Sequence, residues 1–215
     1  MTAADSALLE LVRAIAAGDD ATSLRLLAAS SALARAHIEE GATRRAAKEY
    51  FLDGIQHYAY GGDTALHIAA AGYRREVAKA LIAAGADVRA RNRRGAEPLH
   101  YAADGIPGSP SWNPREQAAT IAVLLAAGAD PNATDKSGVT PLHRAVRTRC
   151  AAAVRALLDG GADARRVNGS GSTPLQLAAQ TTGRGGSGSA EAKAEQAEIV
   201  RLLEQYGAAP RRGAP

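Results

Sequence analysis

A four-residue signal recurs along this chain in one phase: Thr64-Ala65-Leu66-His67, Glu97-Pro98-Leu99-His100, Thr140-Pro141-Leu142-His143 and Thr173-Pro174-Leu175-Gln176. Its leucines stand 33, 43 and 33 residues apart, and each copy closes on a Gly-Ala pair, at Gly85-Ala86, Gly128-Ala129, Gly161-Ala162 and Gly207-Ala208. A period of this length marks one supersecondary unit that cannot bury its apolar face alone and must stack on its neighbours. The 215 residues are therefore expected to form one elongated stack.

The third copy, residues 138 to 168, shows why each unit folds. Thr140 can cap a helix by accepting a free amide of its first turn. Pro141 follows at the first helical position, where its missing N–H costs nothing. Leu142, Ala145 and Val146 make an apolar stripe at helical spacing. A second helix, from Ala151 to Asp159, offers Val154, Leu157 and Leu158, and Gly160-Gly161 ends it in the left-handed conformation that glycine adopts without strain.

The recurring tetrapeptide, its period and its Gly-Ala stop resemble the ankyrin repeat over residues 61 to 209. The resemblance implies an all-α ankyrin-repeat solenoid, with helix-turn-helix repeats joined by β-hairpin loops. It divides the chain into a helical N-terminal cap (1–60), four repeats (about 61–94, 95–137, 138–170 and 171–209) and a tail (210–215). Helical patterns at Ser6 to Ala17 and Ala21 to Ala29 look like a degenerate first unit, and further helices are expected at Ser31 to Glu40 and Thr43 to Asp53. The first full copy departs from the family with Ala65 for Pro and Tyr73-Arg74 for Gly-His. The second and fourth copies are longer, with inserts between their two helices: the proline-rich Gly105 to Pro114, holding the single tryptophan Trp112, and the glycine-rich Thr182 to Ser189.

Composition narrows the function classes. With 46 % hydrophobic but 4 % aromatic residues, the core must be built from Ala, Leu, Val and Ile. A net charge of +4 permits acidic partners without demanding them. One cysteine, Cys150, excludes an internal disulfide and fits a reducing, cytoplasmic setting. Asp5 stands where a signal peptide carries Lys or Arg, and no run approaches the roughly 18 to 20 apolar residues that span a bilayer.

Neither metal nor catalytic chemistry has support. His67, His100 and His143 lie one per unit, about a helix layer of 10 Å apart, whereas zinc holds its ligands within about 2.1 Å. In the family such histidines bond to neighbouring backbone. Cys150, in the turn between two helices, has no base beside it. The resemblance implies a non-catalytic protein-interaction module without cofactor, binding a protein partner through hairpin tips and the concave helix face. The tip cations are Arg89, Arg91, Arg93, Arg94, Lys136, Arg165 and Arg166; Arg144 and Arg147 lie three apart on one helix, and Trp112 is a loop anchor or a plug. These charges fit an acidic surface; nucleic acid is disfavoured by the low net charge and the lack of interleaved aromatics. The alternative is an anionic small ligand between the two long loops, around Arg184, Gly185 and Trp112.

Overall fold

The computed structural model describes residues 3–43, 46–109, 111–180 and 190–208. Among them are five helix pairs: α1 (Ala3–Ala17) and α2 (Asp20–Ala29), α3 (Ala65–Ala71) and α4 (Arg75–Ala83), α5 (Pro98–Ala102) and α6 (Pro114–Ala126), α7 (Pro141–Arg147) and α8 (Ala151–Asp159), and α9 (Pro174–Ala178) and α10 (Ala190–Gln205). The first helices α1, α3, α5, α7 and α9 pack in succession, and so do the second helices α2, α4, α6, α8 and α10. The core lies between these two rows. Both inserts fall within a pair, before α6 and before α10, where their composition placed them.

The four leucines of the tetrapeptide occupy the second position of α3, α5, α7 and α9, and all are buried, as rungs of one ladder. Each contributes about 1.5–3 kcal/mol by leaving water. The residue that ends the tetrapeptide closes a reciprocal cap. The Thr140 amide donates to His143 Nδ1 at 3.3 Å while His143 N–H donates to Thr140 Oγ1 at 3.4 Å. In the last unit the Thr173 amide donates to Gln176 Oε1 at 2.9 Å. The other ring nitrogen joins one unit to the next: Nε2–H of His67, His100 and His143 donates to the carbonyls of Ala96, Val139 and Ser172 at 3.2, 3.1 and 3.1 Å. Because those carbonyls only accept and the cap amide only donates, Nε2 carries the proton in each histidine.

Between units the chain makes tight hairpin turns, closed by Asn92 N–H to Ala96 O, Asp135 N–H to Val139 O and Asn168 N–H to Ser172 O. Adjacent tips are bonded in turn: Arg93 N–H to Gly61 O, Lys136 N–H to Arg94 O and Gly169 N–H to Ser137 O, at 2.8, 3.0 and 2.9 Å. Glycine is required there for two reasons. Gly138 has φ +68, and a Cβ on it would stand 2.6 Å from the Gly169 nitrogen.

Residues 31 to 60 differ from the expected pair of helices. Ser31–Ala34, Lys48–Tyr50 and Asp53–Ile55 are short 3-10 turns, and β1 (Phe51–Leu52) pairs antiparallel with β2 (His57–Tyr58). The helical pattern lost to tertiary backbone pairing. Ile38 N–H donates to Asp63 O, Gly62 N–H to Ile38 O and Ala42 N–H to Ala59 O, so the strand-like run 38–42 lies against 59–63. Leu33, Ile38, Ile55 and Ala59 are buried in the process. This segment occupies the place of the first crossing between units, much enlarged.

At the helix-to-helix turns, Tyr73 (φ 54) and Arg149 (φ 57) hold the left-handed conformation. The turn keeps its geometry with a non-glycine residue, which costs about 1–2 kcal/mol at each position. Tyr73 offsets this by donating its hydroxyl to Asp104 O at 2.7 Å, and Arg149 by donating to Gln180 O at 2.9 Å.

Candidate interaction surface

The tip ladder runs through Arg93, Arg94 and Lys136, and several of the expected basic residues serve the stack itself. Arg89 Nε donates to Gly128 O at 2.8 Å, across to the next unit. Arg35 and Asn132 make the same kind of bond to Gly85 O and Gly161 O. Arg91 donates to Gly95 O at 3.0 Å and to Thr134 O, and Arg93 donates to Ala42 O. These side chains staple neighbouring units by their guanidinium groups while remaining exposed. Glu39, Glu40 and Glu49 line a shallow depression of about 660 Å³ together with Arg91 and Arg93, which offsets the positive charge there. Lys136, Arg165 and Arg166 are exposed, and Asp163 stands 3.8 Å from Arg165.

Arg144 stands differently from the expectation of a steering cation. It is buried, paired with Asp135 at 3.1 Å and with Asp104 at 3.7 Å. Burial works against the Asp135 carboxylate, but amide bonds from Val139 and Ser137 and the Arg144 guanidinium outweigh it and hold its pKa below the usual value. Arg147, one turn on, is exposed and has no carboxylate partner among the described residues. The pair does face one way: both line a groove of about 880 Å³.

That groove opens on the first-helix row. Its floor is Tyr101 from α5 and Arg144 from α7. One wall is the β1–β2 hairpin with Tyr58, the other the insert of the second repeat with Ile106 and Trp112. Trp112 is half-buried and donates Nε1–H to Gln117 Oε1 at 3.3 Å, so it is both plug and lining. Arg94 stands at the edge, its guanidinium 5.0 Å over the Tyr60 ring and donating to the Tyr60 hydroxyl at 3.0 Å. Below, Asp63 is fully buried and accepts from the Tyr101 hydroxyl, Asn92 Nδ2 and the Tyr60 amide at 2.7–2.9 Å. This network fixes the hairpin to the floor.

The histidines and the cysteine of the repeats are engaged in the stack. Both ring nitrogens of His67, His100 and His143 are spent on backbone partners, which leaves no lone pair for a metal. Among the described residues no three His, Cys, Asp or Glu side chains are placed to hold a metal ion. Cys150 is buried, and burial pushes its thiol up to about 11, away from the reactive thiolate. Arg184 and Gly185, the other half of the expected small-ligand site, lie outside the described residues. Trp112 instead faces a groove whose second wall is the hairpin. Sequence reasoning missed Tyr58, Tyr60, Tyr101 and Asp104. A signal for the tips was present: Gly62, Gly95, Gly138 and Gly171 repeat at 33, 43 and 33, in phase with the leucines.

The architecture defines a helical repeat solenoid whose first-helix row and tips form one continuous surface. A family model of ankyrin repeats in three copies matches residues 1–109, one of the single ankyrin repeat matches 94–136, and one of ankyrin repeats in many copies matches 124–178. The chain belongs to the ankyrin repeat family, whose repeats generally serve as protein–protein interaction modules. Among curated proteins, none matches the chain. No helix among the described residues is long and apolar enough to cross a membrane.

Proposed function

We propose that this protein is a non-catalytic, cofactor-free interaction module that receives an acidic protein partner on its hairpin tips and the adjoining first-helix face. The observation that supports the reading is the bonded tip ladder, whose backbone bonds run through Arg94 and Lys136; Arg147 lines the same groove as Arg94, and Arg165 and Arg166 are exposed on the following crossing. A preformed row of charge needs little ordering on binding, and it steers encounter with an oppositely charged patch. Arg89, Arg91 and Arg93 add charge but are also staples, so they are poor choices for a clean test. The lone cysteine is what supports a cytoplasmic setting.

The test is affinity capture from native cell extract with the full chain and with a Lys136→Glu, Arg165→Glu, Arg166→Glu variant. The variant should melt within about 1 °C of the parent, since surface charges away from packing change stability little. Proteins retained by the parent should be released by salt and lost from the variant. An identical captured set from both proteins contradicts the reading.

A further inference from the structure

Aromatic residues are scarce in this chain and unevenly placed. Of its eight Phe, Tyr and Trp side chains, five line one groove on the first-helix row: Tyr58, Tyr60, Tyr73, Tyr101 and Trp112. Tyr73 and Tyr101 are buried, while Tyr58, Tyr60 and Trp112 keep part of their surface open to the groove. Two large apolar side chains stay exposed on the groove's opposite walls, Tyr58 at 38 % and Ile106 at 36 %.

Neither wall belongs to the regular unit. The third unit passes from α7 to α8 through residues 148–150 alone, whereas the second takes residues 103–113 to reach α6. This long segment is held in place. Tyr73 donates to Asp104 O, and Gln117 Nε2 donates to Ala102 O and Asp104 O at 2.9 and 3.0 Å. The β1–β2 wall is braced by the Phe51 and Tyr58 rings, 4.8 Å apart. The groove is thus preformed and walled by segments outside the regular unit.

Its charge is unbalanced. Among the described residues the one carboxylate lining it, Asp104, is engaged with Arg144. Arg147 and Arg94 have no carboxylate partner among the described residues, and the buried Arg144 keeps an Nε without a hydrogen-bond partner. The occupant therefore brings negative charge for Arg147 and Arg94 and apolar cover for Tyr58 and Ile106.

We infer that the groove binds an extended peptide segment of a protein partner, carrying an acidic side chain next to an aliphatic or aromatic one. The acid would pair with Arg147 and Arg94, and its neighbour would lie between Tyr58, Ile106 and Trp112. A nucleic-acid strand, charged at every residue, would bring phosphates against Asp104, and the chain's net charge of +4 offers little to offset that. The inference rests on the interaction-module reading and narrows it to one site and one occupant.

The experiment is selection of a random heptapeptide library on the immobilised full chain, followed by titration of the selected peptides. Trp112 is the only tryptophan and lies in the groove, so tryptophan-free peptides are read by its emission. Selection should enrich Asp or Glu beside Leu, Ile, Phe or Tyr. Affinity should fall at least tenfold in Arg147→Glu and in Tyr58→Ala, fall less in Arg147→Gln, and hold in Arg165→Glu, Arg166→Glu. Circular dichroism and melting of each variant separate loss of binding from loss of fold.

Failure to enrich any peptide, or enrichment without acidic residues, overturns the inference. Selected peptides that ignore the groove variants but are lost in the Arg165, Arg166 variant overturn it while sparing the interaction-module reading. Stronger Arg147-dependent binding of a single-stranded oligonucleotide, or of AMP, overturns it in favour of those ligand classes. No peptide here and no charge-dependent capture from extract would end both readings.

Discussion

His100 carries two bonds with one ring, capping α5 at Glu97 N–H and reaching the next unit at Val139 O. Burial, helped by Arg144, pushes its imidazole down to about 4, so the folded protein holds it neutral. An unfolded histidine titrates near 6.5, so between about 6.5 and 4 the unfolded chain binds the extra proton and stability falls as pH falls. For His100 alone the loss is about 3 kcal/mol across that window. Burial lowers His67 and His143 in the same direction. His100→Gln should flatten this dependence, because a glutamine already makes the cap in the last unit at Gln176. It should cost about 1 kcal/mol near pH 7.5 through the lost bond to Val139. Urea melts of both proteins from pH 8 to pH 4 check this; an unchanged slope contradicts it. The histidine's role was legible because the tetrapeptide repeats. That Arg144 turns inward was not, since its partners Asp104 and Asp135 lie on two separate loops, brought to it only by stacking.

Among the elements, helix pairs could be read from the chain because their signals are local: a capping residue, a proline, a stripe, a closing glycine. α8 has the bounds its pattern implies. Residues 31 to 60 were misread for the opposite reason. Their backbone partners, at 59 to 63, are distant in sequence, and burial of Ile38 and Ala59 outweighs local helix propensity. Without the β1–β2 hairpin that results, the groove wall at Tyr58 could not be foreseen. The arginine staples were hidden likewise, since Arg93 meets a carbonyl 51 positions away. The tip ladder makes a separate prediction. Gly138→Ala forces a side chain onto φ +68 and against Gly169, so it should destabilise by about 1–3 kcal/mol. It should also raise amide exchange at Gly169, where the bond to Ser137 O is made. A Tm equal to the parent's would mean the tips move independently.

Taken whole, the molecule is a short solenoid in which each unit stabilises its neighbours, as repeat arrays do. The regular units supply the two helical rows. The enlarged first crossing and the second repeat's insert supply the walls that turn a flat row into a groove. Specificity then resides where this chain departs from its own repeat, and stability where it keeps to it. The most direct check is hydrogen–deuterium exchange of the full chain alone and with a captured partner bound. Protection should gather at residues 56–62, 91–95, 104–109 and 136–147, leaving the outer helices α4, α6 and α8 at their unbound rates. Protection confined to those outer helices would contradict the assignment of the binding surface.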